Sequence, residues 1–232
     1  MIDTAFPHVA HELSAWLDGH TVRGAILTHY HEDHAGNIGV LAARGIPTWI
    51  APATLPMLMR PARIGLYRRL CWGSTPPLTA VPAPFADASL TAIPTPGHAV
   101  DHHIVWDAST GTVFGADLVL GVKVRVSHPP ARENIREQIQ SLRQIIALAP
   151  DRYFDAHRGP LSNPLTMLGS KLAWMEETVG RIDALIADGM RDEQISDRIL
   201  GRREMIDFVS AGDYARRNFV RSVRASSPGR TS

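Results

Sequence analysis

Six consecutive residues bound what this chain can become: His29-Tyr30-His31-Glu32-Asp33-His34, placed directly after the apolar run Gly24-Ala25-Ile26-Leu27-Thr28. That run is too short for a helix and is bounded by Gly24, so it predicts a buried strand. On extended backbone, His29 and His31 project to one side and can clamp a single ion. Asp33 and His34 follow where the chain turns and can address a second ion alongside. A polar surface loop is a poor account of such a string in 232 residues with 11 histidines.

The flanking pattern predicts a mixed α/β architecture. Residues 10–17 read as a short helix, 38–44 as a helix stopped by Gly45, and 48–51 as a strand stopped by Pro52. Residues 53–85 are proline-rich and irregular, the kind of long segment that serves as a functional loop or lid. Strands are expected again at 90–93, 103–106, 112–114 and 122–126, a helix over 135–148, and a short strand at 152–154. After Gly159-Pro160, amphipathic helices are expected over 165–187, 192–200 and 214–223. The chain thus divides into a catalytic domain, residues 1–162, and a helical C-terminal extension, residues 163–232. The last few residues are expected to be disordered.

Composition narrows the partners. Hydrophobic residues make up 44% of the chain, enough for a real core, and 24 basic side chains face 23 acidic ones. That balance gives no electrostatic footprint for a nucleic acid or an anionic membrane, so the expected partner is a small molecule in a site. Cys71 is the single cysteine, which excludes an internal disulfide framework. The uncharged stretch 71–86 contains Pro76, Pro77, Pro82 and Pro84 and cannot be a membrane-spanning helix. Asp3, Glu12 and Asp18 stand where a secretory signal needs basic and then apolar residues, so a cytoplasmic location is expected.

Three further segments present one potential ligand each at or just past the end of an expected strand. His98 follows Thr95-Pro96-Gly97, Asp117 follows Phe114-Gly115-Ala116, and His157 follows Phe154-Asp155-Ala156. Together with the histidine string, these segments resemble, in order, the successive motifs of the metallo-β-lactamase superfamily. The resemblance implies a four-layer αβ/βα sandwich, an α+β fold with the metals at one edge of two facing sheets. It implies that His29, His31 and His98 hold a first metal, that Asp33, His34 and His157 hold a second, and that Asp117 bridges them, with Asp33 and Asp117 as the catalytic carboxylates. Asp3, in Ile2-Asp3-Thr4, matches the family's first acid and would brace the ligand loop rather than bind metal. The family normally places several strands before that acid, whereas Met1 precedes Asp3 by two residues. The N-terminal strands therefore look truncated, and either the start is late or a partner, such as a second copy in a homodimer, covers the edge.

Imidazole and carboxylate ligands without thiolates suit two divalent ions, zinc first, with iron or manganese also compatible. Such a pair activates water near neutral pH, and within the superfamily the segments resemble small hydrolases such as lactonases and glyoxalase II, a resemblance that implies a hydrolase acting on a small ester, thioester or lactone. The alternative within the fold is a mononuclear iron dioxygenase of persulfides, and a nuclease is disfavoured by the charge balance. Among the other histidines, His102 and His103 are expected to open a strand, and His8, His11, His20 and His128 to be exposed or capping. Tyr67, in the irregular segment where related enzymes place substrate contacts, reads as a packing residue or such a contact and is assigned no role. Arg60, Arg63, Arg68 and Arg69 form the one cluster that could greet an anionic substrate over the metals.

Overall fold

The computed structural model of the chain describes residues 1–128 and 133–227. The N-terminal part is a 3-10 turn over Pro7–Val9, helix α1 (Ala10–Asp18), strand β1 (Ala25–Ile26), and helices α2 (Glu32–Ala35) and α3 (Ile38–Ala43). Strand β2 (Thr48–Trp49) then pairs in parallel with β1, and Ile2 adds a parallel bridge to Ile26. This first sheet is short, two strands and a bridge, and Ala25, Leu27, Ile38, Leu41 and Leu58 are packed around it in one buried cluster.

The second sheet carries five strands in the order β3 (Leu90–Pro94), β4 (His103–Asp107), β5 (Thr112–Phe114), β6 (Arg152–Asp155) and β7 (Gly159–Pro160). All neighbours are antiparallel except β5 and β6, which run parallel because helix α6 (Ile135–Ala147) crosses between them. Asn134 caps α6, its side-chain oxygen accepting the N–H groups of Arg136 and Glu137 at 3.1 and 3.2 Å. Ile135, Ile139, Leu142 and Ile145 recur every three or four residues and turn one face inward. The two sheets are joined where their strands end, the His103 N–H donating to the Thr28 carbonyl at 2.8 Å.

Helices α7 (Pro164–Ala187), α8 (Asp192–Ile199), α9 (Met205–Val209) and α10 (Arg217–Ala225) form the C-terminal region. Their buried residues Leu168, Met175, Ile182, Ile195, Phe219 and Val223 share one core cluster with Ile104, Val113, Leu142 and Tyr153 of the sheet and α6. No described helix is long and apolar enough to cross a membrane.

Two expectations need correction. The segment 53–85 is not wholly irregular, because α4 (Leu55–Met59) forms with Pro56 in its first turn, where a proline is tolerated, and α5 (Leu66–Cys71) forms between Pro61 and Pro76. Residues 122–126 form no strand. The place beside β6 goes to β7, and the carbonyls of Val119 and Gly121 are taken by the Lys171 ammonium at 2.6 and 3.4 Å. The expected disorder at the end of the chain concerns residues outside the described ones.

If the C-terminal helices and the sheet are one cooperative core, Phe219→Ala should lower the stability of the whole chain by about 3–5 kcal/mol. At this size, that is a drop in Tm of roughly 6–20 °C. Calorimetry should show one shifted transition, and a second, unshifted transition would mean that the extension unfolds by itself.

Candidate metal centre

Each sequence-derived ligand leaves its strand at the same end of the molecule. His29 and His31 follow β1, Asp33 and His34 lie in α2, His98 follows β3, Asp117 follows β5 and His157 follows β6. The structure brings all seven together in two groups that share Asp117: His29, His31 and His98 with Asp117, and Asp33, His34 and His157 with Asp117. Within each group the potential ligand atoms lie within 4.8 Å of one another.

In the first group, His31 Nδ1 is 3.0 Å from both His29 Nε2 and His98 Nε2. Hydrogen bonding decides where the protons sit. The Thr28 hydroxyl donates to Asp3 Oδ2 at 2.9 Å, so it can only accept from His29 Nδ1 at 3.0 Å. His29 Nε2 is therefore a bare lone pair aimed at its neighbours. Burial, reinforced by His34 for His29 and by His98 for His31, holds both imidazoles well below the ordinary histidine value and keeps them neutral. Buried imidazole lone pairs converging at this distance suit a cation between them.

The second group has the same property. Asp3 Oδ2 accepts the Nδ1 proton of His34 at 2.7 Å, leaving His34 Nε2 to face Asp117 Oδ1 at 3.1 Å. Both of these facing atoms are buried without a hydrogen-bond partner among the described residues. His157 Nε2 lies 3.1 Å from the same Oδ1 and 3.5 Å from Asp33 Oδ2, while the other Asp117 oxygen is 3.2 Å from His98 Nε2. One carboxylate thus turns one oxygen to each group. Burial alone would push Asp117 up, but His34 and His98 outweigh it and hold the carboxyl well below its usual range. In return, Asp117 and Asp3 overcome burial at His34 and hold it well above the ordinary value, and Asp117 likewise raises His98 and His157.

The backbone is shaped for this. A side chain at Gly97 would run into the first turn of α6 and one at Gly115 into the Tyr153 ring, so the residues just before His98 and Asp117 must be small. Asp3, Ala116 and Leu120 adopt positive φ of 58°, 42° and 54°, backbone conformations that non-glycine residues seldom take. Asp155 holds the loop ends together: Oδ1 accepts the N–H of His157 and of Arg158 at 3.0 Å, and Oδ2 that of Leu120 at 2.8 Å.

Several supporting residues escaped the sequence reading. His102 does more than precede a strand: it is buried, pushed down to about 3 by burial and by His98, and its Nε2 accepts the Asp117 N–H at 3.2 Å. His128 is neither exposed nor a cap. It is buried, accepts from Arg68 at 3.0 Å and stacks on Tyr214 with ring centroids 5.3 Å apart. Glu133 faces His98 Nδ1 at 3.5 Å, much as Asp3 serves His34. Arg68 is buried in an ion pair with Glu32, which stands between ligands His31 and Asp33, and it also donates to the Tyr214 hydroxyl at 2.9 Å. Arg60, Arg63 and Arg69 are exposed, as are His8, His11 and His20. Tyr67 is half-buried on the wall of a cavity that opens beside Asp33, His98 and Asp117.

Comparison with known proteins matches the geometry. A family profile described as the metallo-beta-lactamase superfamily matches residues 1–157. Two curated relatives are each named beta-lactamase-like protein 2 homolog. The one from Drosophila melanogaster is 26% identical over 60% of this chain and 46% of its own length, and the one from Caenorhabditis elegans 25% identical over 89% and 63%. The chain thus spans less than two thirds of either relative. Among solved structures, a metallo-beta-lactamase family protein from Thermus thermophilus superimposes with a TM-score of 0.63 at 19% identity, covering 97% of this chain and 85% of that one. The fold they share is the αβ/βα sandwich, here with a helical C-terminal region. Proteins of this kind are usually hydrolytic metalloenzymes that bind divalent metals. With its profile match, its fold and its His/Asp cluster, the chain belongs to the metallo-beta-lactamase superfamily.

Proposed function

We propose that the chain is a hydrolase of a small ester, thioester or lactone that works with two divalent cations, zinc by preference. The observation that carries this reading is the placement of Asp117, whose two carboxylate oxygens face two separate groups of imidazole nitrogens at 3.1–3.2 Å. His29, His31 and His98 would hold one cation, Asp33, His34 and His157 the other, and Asp117 both. When bound, such cations activate a water near neutral pH and polarise a carbonyl.

The chain's own residues then do three things. Asp3 and Thr28 hold a proton of His34 and of His29 on the nitrogens that face away from the centre, so that the inward nitrogens are the ones offered to a cation, His34 Nε2 once it gives up the proton it carries in the metal-free chain. Asp33, which lines the cavity beside His157, is the carboxylate positioned to take the proton shed by the attacking water. The Glu32–Arg68 pair and Asp155 keep the ligand-bearing loops in register while the substrate is bound.

Elemental analysis of protein purified without added metal should return close to two zinc-like ions per chain, with turnover on a panel of esters, thioesters and lactones. One iron per chain, with oxygen consumed on addition of a persulfide, would replace the hydrolase reading with a dioxygenase. Removing the carboxylate that fixes His34, in Asp3→Ala, should weaken metal binding about 10–100-fold in chelator competition. Unchanged affinity would assign Asp3 to folding alone.

The pKa directions also set a pH dependence for the metal-free protein. The raised His34 contributes stability that is complete below its unfolded value of 6.5 and is lost as pH rises through its folded value. The depressed Asp117 contributes stability that is complete above 3.8 and is lost as pH falls through its folded value. The metal-free Tm should therefore gain most from this pair between pH 3.8 and 6.5 and fall as pH rises further. With metal present the trend should reverse, because ligation requires His34 Nε2 without its proton. Parallel melting curves across pH with and without metal would show that the pair does not titrate as described.

A further inference from the structure

The cavity beside the candidate centre has a volume of about 350 Å³, within the range of small-molecule sites. Part of its wall comes from the C-terminal helices. Among the described residues, its charges apart from the metal-binding ones are already engaged. Arg68 is paired with Glu32, Glu133 faces His98, and the Lys171 ammonium donates to the Val119 and Gly121 carbonyls. Ser127, Gln138 and the tyrosines add a few uncharged polar groups, but most of what remains toward the open space is apolar, with Leu120, Val124 and Val126 from the loop after Asp117 and Met175, Ile206 and Phe219 from α7, α9 and α10. The short helices that supply Tyr67 and Ile206 carry further exposed apolar side chains, Leu66 and Leu70 on α5 and Met205 and Phe208 on α9. The arginines that could greet an anion lie elsewhere: Arg63 and Arg69 line a neighbouring cavity beyond Arg68.

From this lining we infer that the cavity holds an uncharged aliphatic acyl chain, which makes the substrate an ester, thioester or lactone of an apolar carboxylic acid. The inference rests on the hydrolase reading and deepens it. Each methylene moved from water into such a wall is favourable by an amount worth about fourfold in binding. A carboxylate in the same place would lose its hydration, and among the described residues no unpaired cation lines the cavity to receive it. The C-terminal helices thereby select the acyl group, while the N-terminal part holds the centre that cleaves it.

Two measurements test this separately from the hydrolase reading. The first uses metal-free protein and the neutral fluorescent probe N-phenyl-1-naphthylamine, expected to bind at one site per chain and to be displaced by octan-1-ol but not by succinate. Ile206→Asp, at the half-buried edge of the cavity, and Val126→Asp, on a segment without regular structure, should each weaken the probe at least tenfold. The second uses metal-loaded protein and acyl thioesters with one leaving group, from acetyl to octanoyl, beside the acid-ended succinyl and glutaryl thioesters. The expected result is a kcat/KM that rises by up to about fourfold per methylene and favours the neutral chain over the acid-ended one of equal length. The octanoyl-to-acetyl ratio should collapse in both variants. No saturable probe site, a flat series, or preference for the acid-ended chains would overturn the inference. Probe binding without turnover of any ester, thioester or lactone would overturn the hydrolase reading and leave the apolar cavity standing.

Discussion

A carboxylate buried as deeply as Asp117 is tolerable only if positive charge or strong donors surround it. Much of the local structure answers that demand. Three imidazole nitrogens stand within 3.2 Å of its oxygens, its own N–H is taken by His102, and the backbone on both sides adopts unusual dihedrals to aim it. The loop beyond it is tied down by a buried carboxylate, Asp155, and a buried ammonium, Lys171. Lys171 is itself pushed down to about 8 by its burial, so the tie is made with an amine that loses its proton more readily than a surface lysine does.

Asp3 shows how few atoms are needed to set several proton positions. Its Oδ2 accepts directly from His34 and, through the Thr28 hydroxyl, governs His29, while its Oδ1 accepts the Thr28 N–H at 2.8 Å. A single side chain thus fixes one histidine of each donor group. The Glu32–Arg68 pair does the comparable work between segments, linking the ligand string to α5 and, through Tyr214, to the stretch leading into α10.

The seven potential ligands were legible in the sequence because their segments follow short apolar runs and resemble, in order, the successive motifs of the family. Apart from Asp3, the residues that hold the ligands were mostly not. His102 meets Asp117 across 15 positions and Arg68 meets His128 across 60, separations at which neither periodicity nor spacing carries information. The run 122–126 has the alternation of a strand but is not paired, since β7 lies beside β6, and Val124 and Val126 line the cavity instead. Helix α5 was hidden by prolines that bound the segment without interrupting its single turn and a half. The role of Arg68 as a structural ion pair, rather than a free cation for a ligand, depended on Glu32, a residue that the string itself presents as a spacer.

The parallel pairing of β5 with β6 bears on how the chain reaches this state. Asp117 and His157 hang from the ends of those two strands, and the strands can meet only after α6 has formed and folded back across the sheet. Parallel pairing across such a crossover is among the slower steps in folding, because the loop must close before its contacts repay the lost freedom. The string from His29 to His34 is local in sequence, whereas the shared carboxylate and His157 are brought together only by the pairing of β5 with β6 across that crossover. Until that crossover is closed Asp117 and His157 are not side by side, and a cation meeting the string alone would find only part of its donor set.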